Sequence, residues 1–144
     1  MDDLISKLKT PKDCATLEKN AADRGRPDVA LAARKRRLQL LAEEYGATSD
    51  VERECLAAVY AYEQVLTHRN GRPTRANRTW PMIERHGIIG AVERAVDRPA
   101  ETVGYQALQD MGLGEFAFEA VILRHPSHFS PAAVERSRQR IETD

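Results

Sequence analysis

Apolar residues recur along this chain at intervals of three and four, with charged and polar residues between them. That is the period of helices that each bury one face. The clearest case runs through Val51, Cys55, Val59, Tyr62 and Leu66, and it predicts a helix at the centre of the core. Ser49-Asp50-Val51-Glu52 opens it as a Ser-x-x-Glu capping box, and His68-Arg69-Asn70-Gly71-Arg72-Pro73 closes it in a turn. Sustained two-residue alternation does not occur, nor do hairpin dipeptides between β-branched runs.

The remaining elements follow from start and stop chemistry. Thr10-Pro11 pairs a cap residue with a proline at the first helical position, predicting a helix from Pro11 to about Asp23. Arg24-Gly25-Arg26-Pro27 breaks it. Pro27 opens a second long helix to about Tyr45, with Leu31, Leu38, Leu41, Ala42 and Tyr45 on one face and Gly46 at its end. Shorter helices are expected over Arg75–His86, or only Trp80–His86 because Pro81 prefers a first turn. Others are expected over Ile88–Asp97, Ala100–Asp110, Glu115–Arg124 and Pro131–Ile141. The expected fold is all-α, a bundle of seven to nine helices: longer N-terminal helices, then short helix-turn-helix pairs.

An internal likeness supports those pairs. At an offset of 25 residues, Trp80 falls on Tyr105, Ile83 on Leu108, Gly87 on Gly112, Ile88 on Leu113, and Ala95-Val96 on Ala120-Val121. Each copy reads as helix, left-handed glycine turn, helix. The organisation expected is a single helical domain, 1–144, subdividing into a long-helix part, 1–67, and helix-turn-helix pairs, 75–144.

Composition narrows the class. The chain has 144 residues, 42% of them hydrophobic and 31% charged, which fits a folded helical globule and excludes a disordered chain. Its apolar runs are too short to span a membrane, and an acidic start, Met1-Asp2-Asp3, is unlike a signal peptide. A cytoplasmic protein is therefore expected. Cys14 and Cys55 lack metal-site spacing and read as small core residues rather than a disulfide.

Charge changes the picture more. The formal net charge is zero, yet residues 68–98 carry seven arginines against three acids, a net of +4. Residues 99–144 carry four basic and seven acidic residues, a net of −3, and all five lysines lie by Lys35. Arg69, Arg72, Arg75 and Arg78 come three apart, with Arg85, Arg94 and Arg98 after them. A guanidinium is a planar fork suited to phosphate. Helix-turn-helix units present such groups to nucleic acid. The expected contact set is Arg69, Arg72, Arg75, Asn77, Arg78, Thr79 and Arg85, with Asn77 and Thr79 as positioning donors. The competing reading is an ordinary solvated arginine face paired with the acidic C-terminal third. The helix from Ile88 is apolar for a base-reading element.

Other features are weaker. Arg34-Lys35-Arg36-Arg37 is concentrated positive charge, more often a solvated face than a binding site. Gly112-Leu113-Gly114 resembles a helix-hairpin-helix phosphate turn, but Asp110, Glu115 and Glu119 would repel phosphate. His125 and His128 lack further metal ligands nearby. His86 suits the dipole at a helix C-terminus. Glu63, Glu84, Glu93 and Glu119 could work with the histidines as acids and bases, though no spacing selects them. No Walker loop, dinucleotide fingerprint, nucleophile elbow or zinc-protease motif occurs.

The stretch Arg78-Thr79-Trp80-Pro81-Met82-Ile83-Glu84-Arg85-His86-Gly87-Ile88-Ile89 resembles a family of small helical bacterial proteins with no assigned activity. So do Ala91-Val92-Glu93-Arg94-Ala95-Val96 and Phe116-Ala117-Phe118-Glu119-Ala120-Val121. The resemblance covers roughly residues 50–140. It implies a bacterial source and carries over no functional residue.

The leading expectation is a non-catalytic nucleic-acid-binding or regulatory module, with DNA or RNA as partner and no cofactor, metal or membrane. The alternative is a protein–protein interaction module, homodimeric through a leftover apolar helix face. A third reading is an enzyme with a scattered His/Glu site.

Overall fold

A computed structural model describes residues 2–97 and 103–143, and over them the chain is helical, with turns and no strand. The elements are α1 (Asp2–Ser6), α2 (Pro11–Asp23), α3 (Pro27–Tyr45), α4 (Asp50–Asn70), α5 (Thr79–Val96), α6 (Val103–Asp110), α7 (Phe118–Arg124) and α8 (Pro131–Thr143). Two 3-10 turns cover Gly114–Phe116 and Pro126–His128. The all-α class with seven to nine helices is thus observed. Of the helix expected over Ala100–Asp110, the first residues lie outside those described, as does Arg98. The chain forms two compact units, Met1–Ala47 and Thr48–Asp144. The sequence reading set its subdivision later, between residues 67 and 75.

In the first unit, α2 and α3 pack along one another, and α1 adds to α3. Thr10 caps α2 by accepting from the Asp13 N–H at 3.1 Å. Gly25, at φ 71°, ends it in a Schellman turn: the Arg26 N–H reaches Ala21 O at 2.8 Å and the Gly25 N–H reaches Ala22 O at 3.1 Å. Cys14, Ala33 and Leu38 are fully buried. Tyr45, expected on the buried face, is 47% exposed, whereas Leu40 is buried. α3 has 19 residues against 13 in α2, so its last turns outrun its partner. The basic run is partly structural. Arg34 donates twice to Glu18 on α2, at 2.6 and 2.9 Å, and Arg36 donates to the Leu8 carbonyl at 3.3 Å.

In the second unit α4 is the hub, packing on α5, α6 and α7. Ser49 caps it, accepting from the Glu52 N–H at 3.2 Å. The Glu52 carboxylate reaches the hydroxyls of Thr48 and Ser49 instead of closing the box on the backbone. Val51, Cys55 and Val59 are buried as expected, and so are Leu56, Ala57 and Ala58. Five consecutive buried residues, Cys55 to Val59, cannot share one helix face, so α4 is enclosed on more than one side. Its core partners are Val92 and Val96 of α5, Val121 and Ile122 of α7, then Phe129 and Ala133.

Polar contacts lock the C-terminal helices onto this core. Ser130 caps α8 through the Ala133 N–H at 3.1 Å, and its own N–H donates to Glu93 at 2.6 Å. Arg136 donates to Val96 O at the end of α5. Glu54 on α4 accepts from Arg124 at 2.6 Å, and His125 Nε2 lies 2.7 Å from its other oxygen. Glu119 and Arg140, both buried, pair across α7 and α8 at 3.2 Å.

The two glycines matched by the 25-residue offset do different work. Gly112, at φ 74°, closes a Schellman turn in which the Leu113 N–H reaches Leu108 O at 2.8 Å and the Gly112 N–H reaches Gln109 O at 3.0 Å. Gly87 sits at φ 79°, ψ 170°, an extended conformation open essentially only to glycine. It joins helical segments 79–86 and 88–96 directly. After Gly112 a 3-10 turn and extended Ala117 precede α7, so the helix expected over Glu115–Arg124 is interrupted at Ala117.

Candidate functional site

The arginine-bearing segment lies between α4 and α5. Gly71, left-handed at φ 69°, ends α4 with its N–H on Thr67 O. The Thr67 hydroxyl, in turn, accepts from the Thr74 N–H at 3.0 Å. One turn earlier on α4, buried Glu63 organises the rest. Its Oε2 accepts from Trp80 Nε1 at 2.7 Å, from the Ala76 N–H at 2.8 Å and from Arg75 Nε at 3.0 Å. The Arg75 guanidinium also lies 5.1 Å from the Trp80 ring centre, and Tyr60 packs on the same indole at 5.2 Å. The loop is therefore pinned at two points on one face of α4.

Arg69 lies in the last turn of α4, Arg72 in the loop, Arg78 precedes α5 and Arg85 is in its first segment. All four are exposed and make no ion pair among the described residues. Asn77 is exposed. Arg75 projects into solvent but is held by Glu63. Thr79 is buried at 6% exposure and lines a pocket walled by helices instead of the loop surface. The three-residue spacing does not set these arginines on one helix face, because most of it falls in loop. Among the described residues these four arginines do not pair with the acidic C-terminal third, where Glu119 pairs with Arg140 and Glu135 with Arg138.

The local field favours an anion. No acidic residue occurs from Gln64 through Ile83. Arg78 stands at the start of α5, whose first turn has no acid and whose N-cap makes no side-chain bond. A helix N-terminus carries the positive end of the helix dipole, so a cation there adds to it.

Other candidates are accounted for differently. Glu93 is engaged at the start of α8, and His86 and Glu84 are exposed on α5. His125 and His128 rings lie 6.4 Å apart, and no group of three or more metal-ligating side chains occurs among the described residues. Burial raises both thiols, Cys55 to about 12. Both cysteines are free and buried. The exposed large apolar side chains among the described residues are Leu4 and Tyr45, and no described helix is long and apolar enough to cross a membrane.

Sequence reasoning gave Glu63 only a generic acid–base role. A usable signal existed: it lies four residues after Val59, on the face that also holds Val51 and Cys55, so it had to be buried with donors around it. Comparison with known proteins finds no matching family model, curated protein or solved structure.

Proposed function

We propose that the chain is a non-catalytic nucleic-acid-binding or regulatory module that contacts phosphates through the loop joining α4 and α5. The observation carrying this reading is the set of exposed arginines, Arg69, Arg72, Arg78 and Arg85, without acid partners among the described residues, on and beside a loop pinned by Glu63 and Thr67. A pinned loop loses little conformational entropy when a partner binds. Asn77 supplies a further donor; Thr79, being buried, does not. Arg75 serves mainly to hold the loop.

The helix-turn-helix arrangement enters this reading in a limited way. In the second segment of α5, Ala91, Val92 and Val96 are buried, so the contact is to backbone phosphates more than to base edges. DNA or RNA is the partner, and the bacterial cytoplasm the proposed setting. Fluorescence anisotropy with a labelled duplex should show binding that weakens linearly with log salt, the slope falling by about one for each phosphate contact removed. Replacing Arg69, Arg72 and Arg78 by alanine together should flatten the slope by about three. Absence of binding at low salt sinks the proposal.

A further inference from the structure

A partly open pocket of about 60 Å3 lies in the second unit, walled by α4 through α8. Much of the wall is ordinary helical core, such as Ala58, Val96 and Phe118. Glu119 and Arg140 are not. They are 5% and 7% exposed, both line the pocket, and Arg140 Nη1 donates to Glu119 Oε2 at 3.2 Å. Tyr62 and Thr79, two hydroxyl-bearing side chains, belong to the same wall.

Packing alone does not call for such a pair. Apolar residues of similar volume are often as stable as a buried ion pair, because taking both charges out of water is costly. A cation and an anion side by side in a buried part of the wall complement a molecule carrying the reverse pair at similar spacing. A guanidinium matches a carboxylate, and a carboxylate accepts from an ammonium. A ligand with only one charge would face the like-charged wall group.

We propose that this pocket binds a small zwitterion, an α-amino acid of the smallest size, with its carboxylate toward Arg140 and its ammonium toward Glu119. Its volume sets the size. About 10–15 Å3 of such space holds one water, so the pocket takes about four to six non-hydrogen atoms, which fits glycine or alanine, whereas leucine overfills it. The site is separate from the arginine loop and does not depend on the nucleic-acid reading.

The test is NMR titration of the 15N-labelled full chain with glycine, alanine, leucine, acetate and methylammonium. Glycine or alanine should shift the amides of Thr79, Tyr105 and Glu119 saturably. Their Kd should be about tenfold or more below that of acetate or methylammonium, as expected for losing one charge-assisted contact. Leucine should leave these amides unmoved. Ala95→Leu fills the pocket from a wall position while keeping both charges, and should abolish the glycine response in a folded protein. Three results would overturn the proposal: no saturable shift with glycine or alanine, equal affinity for a singly charged probe, or an undiminished response in A95L. Should A95L not fold, the leucine result in the unaltered chain tests the same size limit, and leucine binding as tightly as alanine refutes it.

Discussion

The indole N–H of Trp80 donates to Glu63 Oε2 at 2.7 Å, and the same oxygen takes the Ala76 N–H at 2.8 Å. One buried carboxylate on α4 thereby sets both the path of the arginine-bearing loop and the start of α5. The arginines reach solvent from a backbone hydrogen-bonded to Glu63 and Thr67 of α4.

Glu63→Ala should cost about 2–4 kcal/mol of stability, because it removes the acceptor shared by the Ala76 N–H and the Trp80 indole. Arg75→Ala should cost under about 1 kcal/mol, since its ion pair with Glu63 is largely solvent-screened. Urea denaturation of the two variants separates them. Equal losses would show that Glu63 acts through Arg75 alone.

Glu54 makes stability acid-sensitive. Partial burial pushes its carboxyl up, but hydrogen bonds from His125 and Arg124 outweigh that and leave it below its ordinary value of 4.5. A group whose folded pKa is depressed contributes stability that is full above the unfolded value and fades as pH falls through the folded one. The stability that the Glu54 carboxylate contributes, read as the difference between the natural chain and Glu54→Gln, should therefore be present above the ordinary carboxyl value. It should shrink below about pH 4.5, read as melting temperature against pH. A difference that grows in acid would contradict this.

Gly87→Ala should destabilise by about 1–3 kcal/mol, the cost of forcing a side chain into an extended positive-φ conformation. Open space surrounds the position where a Cβ would sit, so the penalty is one of backbone and not of collision. Chemical denaturation measures it, and a neutral outcome would mean that the two segments of α5 can rejoin by another path.

Both cysteines should resist thiol reagents in the native state. Burial raises the Cys55 thiol to about 12, so at neutral pH the reactive thiolate is scarce and shielded. Ellman's reagent should label both only on unfolding. Rapid labelling of either without denaturant would show that its surroundings open readily.

Helix ends were legible in the sequence because they are short-range events. Thr10, Ser49, Gly46 and Gly71 act within about one turn of themselves, and the observed helices begin or stop beside them. The arginine series was legible too, as was the apolar face of α4. The brief helix α1 and the break at Ala117 were not, since neither carries a strong local signal.

Which polar groups are free and which are bound was decided only by the tertiary structure. Arg75 meets Glu63 across 12 residues, Arg34 meets Glu18 across 16 and Arg140 meets Glu119 across 21. Nothing in local spacing selects those partners over their neighbours. Tyr45 shares an apolar face with Leu38, yet one is exposed and the other fully buried, because α2 ends before α3 does. Periodicity states which side of a helix seeks cover. How far that cover extends, and which charge meets its opposite inside it, depends on chain segments distant in sequence, and so on the packing of whole helices.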